Sequence, residues 1–87
     1  MLFLVKSKWQ IEKAPELAQK MATGEIPEIA KWEGYCAVSD SSIGFNLYEA
    51  KDEEDLRRMW EPYLPYGKIL EITAVMTVGE LMQGIQK

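Results

Sequence analysis

No histidine occurs anywhere in the chain. That absence excludes a Ser-His-Asp or Cys-His nucleophile built within one copy, and it leaves no imidazole to ligate zinc or haem. Any proton transfer falls to carboxylates, tyrosine, lysine or cysteine, and neither a metal site nor a cofactor is expected. Cysteine is nearly absent too. Cys36 stands alone, so no intrachain disulfide forms, which fits a reducing, cytoplasmic location. Between Tyr35 and Ala37, with no adjacent lysine or arginine to lower its pKa, it reads as a small packing residue rather than a nucleophile. Long apolar runs are also missing. The stretch Met1–Val5 is too short for a signal segment or a membrane span, and a soluble protein with no membrane partner is expected. Basic runs are lacking as well. Lysine and arginine total 10 against 14 aspartates and glutamates, a net charge of −4, so nucleic acid is disfavoured as a partner.

What is present is apolar and aromatic. Hydrophobic residues make up 47% of 87 positions, with three tryptophans, which is too apolar for disorder. The length suits a single domain over residues 1–87. A domain of this size buries only a little over ~60% of its unfolded surface, so part of its apolar surface is expected to lie between subunits.

Met1–Trp9 reads as a strand, apolar throughout at first and then alternating as Lys-Ser-Lys-Trp. Gln10–Lys13 is a polar connection. Ala14-Pro15-Glu16 opens a helix carrying Leu17, Ala18 and Met21, and Thr23-Gly24 ends it. A second strand is expected from about Ala30 to Val38, bent at Gly34. Asp40-Ser41-Ser42 is a turn. Ile43–Ala50 is a third strand, with Phe45, Leu47 and Glu49 on one face and Gly44, Asn46 and Tyr48 on the other. Asp52 caps a second helix with an acidic first turn, Asp55 completing a capping-box-like pair, and Leu56, Met59 and Trp60 form its apolar stripe. Lys68–Val78 is the last strand, apolar on both parities and so expected to sit centrally or be covered on both faces, and 79–87 is a tail that can form a short helix. The order β-α-β-β-α-β predicts an α+β, ferredoxin-like fold: a four-stranded antiparallel sheet with two helices on one face. The opposite sheet face has nothing in the chain to cover it.

Asn46 sits mid-strand between Gly44 and Tyr48, where a side-chain amide can orient a carbonyl or enolate, or simply bond backbone. Trp9, Trp32 and Trp60 can line an aromatic pocket or fill a core. Tyr63, flanked by prolines, can close a pocket. The acidic cluster Glu49 and Asp52–Asp55 lacks the alternating ligands of a calcium loop and reads as a solvated helix start. Aromatics on a third strand also suit base stacking, but this strand ends in Glu49 within an acidic chain.

The strand Gly44-Phe45-Asn46-Leu47-Tyr48-Glu49-Ala50, followed by Asp52–Leu56, Pro62 and the apolar Lys68–Val78, resembles the dimeric α/β-barrel superfamily. That group includes stress-responsive barrel proteins and cofactor-independent, antibiotic-biosynthesis-type monooxygenases. The chain is most similar to a small uncharacterised branch with a Gly-aromatic-x-x-x-Glu-Ala strand. The resemblance covers most of the chain and implies a homodimer whose sheets pair into a barrel. Haem-degrading relatives use a histidine ligand, which this chain lacks. Monooxygenase relatives use asparagine and tryptophan beside a cavity between sheet and helices. The resemblance offers Asn46 and Trp60 or Trp32, and the strand face and the proline-flanked segment add Tyr48 and Tyr63, so Asn46, Tyr48 and Trp60 are the catalytic candidates and Trp32, Asn46, Tyr48, Trp60 and Tyr63 the ligand-binding ones. The expected function is binding of a small apolar or aromatic ligand. The alternatives are a monooxygenase-like enzyme and a structural or regulatory module without catalysis.

Overall fold

The computed structural model describes residues 1–29 and 34–86. Four strands form one antiparallel sheet: β1 (Leu2–Trp9), β2 (Tyr35–Cys36), β3 (Ile43–Glu49) and β4 (Gly67–Val75), in the order β2-β3-β1-β4. Helix α1 (Ala14–Ala22) joins β1 to β2, α2 (Glu53–Met59) joins β3 to β4, and α3 (Val78–Gln86) follows β4. This is the ferredoxin-like βαββαβ order with an added C-terminal helix. The helices start where local chemistry dictates. Pro15 lies in the first turn of α1, where its missing N–H costs nothing. Gly24, at φ +80°, ends that helix in the left-handed region, which a residue without Cβ enters freely. Asp52 accepts from the Asp55 amide at 2.8 Å, while Asp55 accepts from the Lys51 amide at 3.0 Å. The expected capping pair is thus formed, with its return bond shifted by one residue.

Registers decide which face each strand residue joins. Phe3, Val5 and Ser7 stand opposite Tyr48, Asn46 and Gly44 on β3, so all six share the helix-covered face. Phe3, Val5, Tyr48, Leu56, Trp60, Tyr63 and Tyr66 form the core, with Leu56 and Trp60 fully buried. Leu2, Leu4, Lys6 and Lys8 pair with Glu49, Leu47, Phe45 and Ile43 on the opposite face, which no helix covers among the described residues.

Three expectations need correction. β4 is an edge strand, not a central one, and it ends at Val75 rather than Val78. Its apolar residues on both parities come from a bulge. Lys6 faces Glu71 while Ser7 faces Ile69, so Leu70 is the extra residue, and Ile69 and Ile72 both reach the inner face. Val78 opens α3 instead, because Thr77 caps it. The second strand is confined to Tyr35–Cys36, extended only by the bond from the Ala37 amide to the Ile43 carbonyl, 2.9 Å. Its expected start at Ala30, and Trp32 with it, lies outside the described residues. The polar connection after β1 also contains a 3₁₀ turn, Ile11–Lys13.

The β2–β3 turn is pinned by Asp40. Its carboxylate accepts from the Ser42 hydroxyl at 2.6 Å and from the Ser42 amide at 3.0 Å, and it pairs with Lys8 Nζ at 3.1 Å. These Ser42 bonds, and then Lys8, hold its pKa at about 2. The pKa is depressed in the folded state, so the contribution is complete above the unfolded value of about 4 and fades as pH falls towards about 2. Thermal melts between those limits are expected to show a steeper loss of stability for wild type than for Asp40→Asn. Parallel curves would remove this role.

Candidate functional site

Trp9 ends β1 and spreads its indole over the inner face of the sheet. Room for it comes from two glycines on flanking strands. A Cβ at Gly44 would stand 2.8 Å from Trp9 Nε1, and one at Gly67 would stand 2.8 Å from Trp9 Cε3. Trp9 packs against Trp60 (centroids 5.1 Å) and edge-on to Tyr63 (6.1 Å). The third contact of this aromatic triangle, Trp60 to Tyr63, is 5.5 Å. Such tilted and edge-on pairs contribute beyond their buried area.

Above this floor α1 stands away from the sheet. It buries no residue completely, and Leu17 and Met21 are only half-buried. The space between is a pocket of about 700 Å³, within the range of small-molecule sites. Ile11, Ala14, Leu17 and Met21 form its outer wall, while Trp9, Gly44, Asn46 and Tyr48 form the sheet side. Tyr63 and Tyr66 close one end, and Glu28, Gly34, Tyr35, Gln10 and Ser41 complete the rim.

Asn46 and Tyr48 are therefore on the helix-covered side, at the pocket, and not on the open face. Asn46 is half-buried, and its amide lies where a Cβ on Gly34 would collide with Nδ2. The absent side chain at Gly34 is what lets the amide occupy that place. Tyr48 is buried, and burial raises its pKa above the usual phenol value, partly opposed by the nearby Trp60 indole. Its hydroxyl is consequently neutral at physiological pH and able to donate. Trp60 Nε1 lies near that hydroxyl and has no hydrogen-bond partner among the described residues.

The remaining candidates are placed differently. Trp60 has no exposed surface and stands behind Trp9 and Tyr48. Tyr63 lines the pocket, but its hydroxyl donates to the Pro27 carbonyl, tying the α2–β4 connection to the chain at Pro27. Burial raises its pKa as well. Trp32 lies outside the described residues. The indole presented to the pocket is Trp9, one of the three tryptophans able to line an aromatic pocket but outside the expected ligand-binding set. The signal for it was non-local: a tryptophan closing an alternating strand, with glycines on both strands that come to flank it. Cys36 is exposed at the rim rather than packed inside, because β2 is short and lies at the sheet edge. Among the described residues no cluster of three or more acidic or cysteine side chains is arranged to hold a metal ion, and no helix is long and apolar enough to cross a membrane.

A family model described as a domain of unknown function, DUF3303, matches residues 1–87. No curated protein and no solved structure matches the chain.

Proposed function

The chain belongs to the DUF3303 family, a domain of unknown function, and from that premise we propose that it binds a small, largely apolar aromatic molecule in the pocket between α1 and the sheet. The observation that carries this reading is the pocket itself: about 700 Å³, floored by Trp9, with Asn46 and Tyr48 as polar groups on its sheet side and the aliphatic Ile11, Leu17 and Met21 opposite. A planar ring would stack on the indole. A carbonyl or hydroxyl on that ring would meet the Asn46 amide and the neutral Tyr48 hydroxyl, so an oxygenated aromatic or polyketide-like compound fits best. The working unit is a homodimer joined through the open sheet face, as in the dimeric α/β-barrel superfamily that the chain resembles.

Titration of a panel of hydroxylated aromatics into the protein, followed by tryptophan fluorescence, tests the reading. Saturable quenching is expected, with affinity weakened about tenfold when Asn46→Ala removes one hydrogen bond. Quenching that ignores Asn46→Ala, or none across the panel, would sink it. A cofactor-independent oxygenase reading draws on the same juxtaposition of Asn46 and Tyr48. Oxygen uptake with activated phenols, abolished in Asn46→Ala, separates catalysis from binding alone.

A further inference from the structure

Helix α3 is an arm. Val78, Leu81, Met82 and Ile85 recur at i, i+3, i+4 and i+7, which places them on one face, and they are 74, 49, 47 and 69% exposed. The helix is specified locally: Thr77 Oγ1 accepts from the Glu80 amide at 3.0 Å, and the Thr77 amide donates back to Glu80 Oε1 at 3.5 Å, a Thr-x-x-Glu capping box. Yet nine residues are too few to hold a helix in water without a surface to pack on.

The whole molecule carries the same signature. Its radius of gyration is 14.6 Å, against about 12 Å for a compact chain of this length. Its accessible surface is 6291 Å², against about 5,200 Å² for a folded monomer of 10.0 kDa. The excess is about 1,000 Å² per chain. Buried reciprocally by two copies it would total about 2,000 Å², where obligate homodimer interfaces begin. The apolar surface also comes in two shapes on one chain, a flat sheet face with Leu2, Leu4 and Leu47 and a protruding stripe. A two-fold axis requires such self-complementarity.

We propose that α3 is an exchanged arm, its Val78-Leu81-Met82-Ile85 stripe seated on the flank of a second copy's open sheet face. This rests on the homodimer reading above and adds which segment clamps it. The stripe follows β4 directly, past Val75 on the open face and Met76, which is 63% exposed, so arm and face form one continuous contact.

Sedimentation of the full chain over a wide concentration range, for wild type, Leu81→Asp/Ile85→Asp and Gln83→Asp, tests it. Gln83 lies on the opposite side of the same helix, so its variant controls for charge and helix propensity. Wild type is expected to dimerise, Gln83→Asp to match it, and the double variant to dissociate with Kd raised at least about a hundredfold, since two buried aliphatic side chains are lost at each of two symmetric contacts. Far-UV circular dichroism follows folding in parallel. A double variant that unfolds on dilution while Gln83→Asp does not counts for the proposal. A dimeric double variant of unchanged Kd overturns the arm and leaves sheet pairing standing. A wild type that is monomeric at every concentration overturns both.

Discussion

Leu56→Ala is expected to lower the unfolding free energy by about 2–5 kcal/mol, the cost of removing a buried aliphatic side chain and leaving a cavity. Leu56 has 0% exposure and is the only fully buried residue within α2. It packs that helix onto the inner face of the sheet beside Trp60. A domain of this size has a total stability of roughly 5–15 kcal/mol, so the substitution removes a large share of it. At about 4–8 °C per kcal/mol for a chain of 60–100 residues, the melting temperature should fall by roughly 10 °C or more. Leu64, 54% exposed in the α2–β4 connection, is the control. Leu64→Ala should stay within about 0.5 kcal/mol of wild type. Both are measured at one protein concentration, because association would make the melting temperature depend on it. A Leu56→Ala shift no larger than that of Leu64→Ala would show that α2 does not anchor the core.

Most of this core was legible from local pattern. Alternation in Ile43–Ala50 assigned Asn46 and Tyr48 to one face, and the acidic turn after Asp52 marked α2 with its Leu56-Met59-Trp60 stripe. In both segments the deciding forces act within a few residues. β4 was misplaced for the opposite reason. A bulge at Leu70 is set by its pairing with Lys6 and Ser7, more than 60 positions away, and nothing within Lys68–Val75 announces it. The end of β4 was available locally, since Thr77-Val78-Gly79-Glu80 is a capping box, but the apolar run through Val78 concealed it. The pocket was legible only as residue types. That Asn46 and Tyr48 share a face follows from strand parity, but which face the helices cover does not, and the replacement of Trp60 by Trp9 as the pocket's floor depends on Gly44 and Gly67 arriving on either side of β1. Local pattern has no access to that.

Those glycines yield the second large effect. Gly67→Ala is expected to destabilise the protein by about 1–3 kcal/mol, the usual range for overpacking. A Cβ there would meet the Lys8 carbonyl oxygen at 2.9 Å and Trp9 Cε3 at 2.8 Å. The carbonyl belongs to the paired strand β1 and cannot retreat without disturbing the ladder, so the indole must move. Gly34→Ala is the contrasting case. Its collision is with the end of the Asn46 side chain, a flexible amide that can swing aside, and an alanine also lowers the entropy of the unfolded chain by an amount worth about 0.4–1 kcal/mol. Its net effect on stability should lie near zero. The two substitutions should therefore separate cleanly. Gly67→Ala lowers the melting temperature by several degrees and shifts tryptophan emission as Trp9 leaves its seat. Gly34→Ala leaves both unchanged and weakens only ligands that use Asn46. If instead Gly34→Ala melted lower than Gly67→Ala, the indole would not be held between the two strands, and the pocket would lack the rigid floor on which an aromatic ligand stacks.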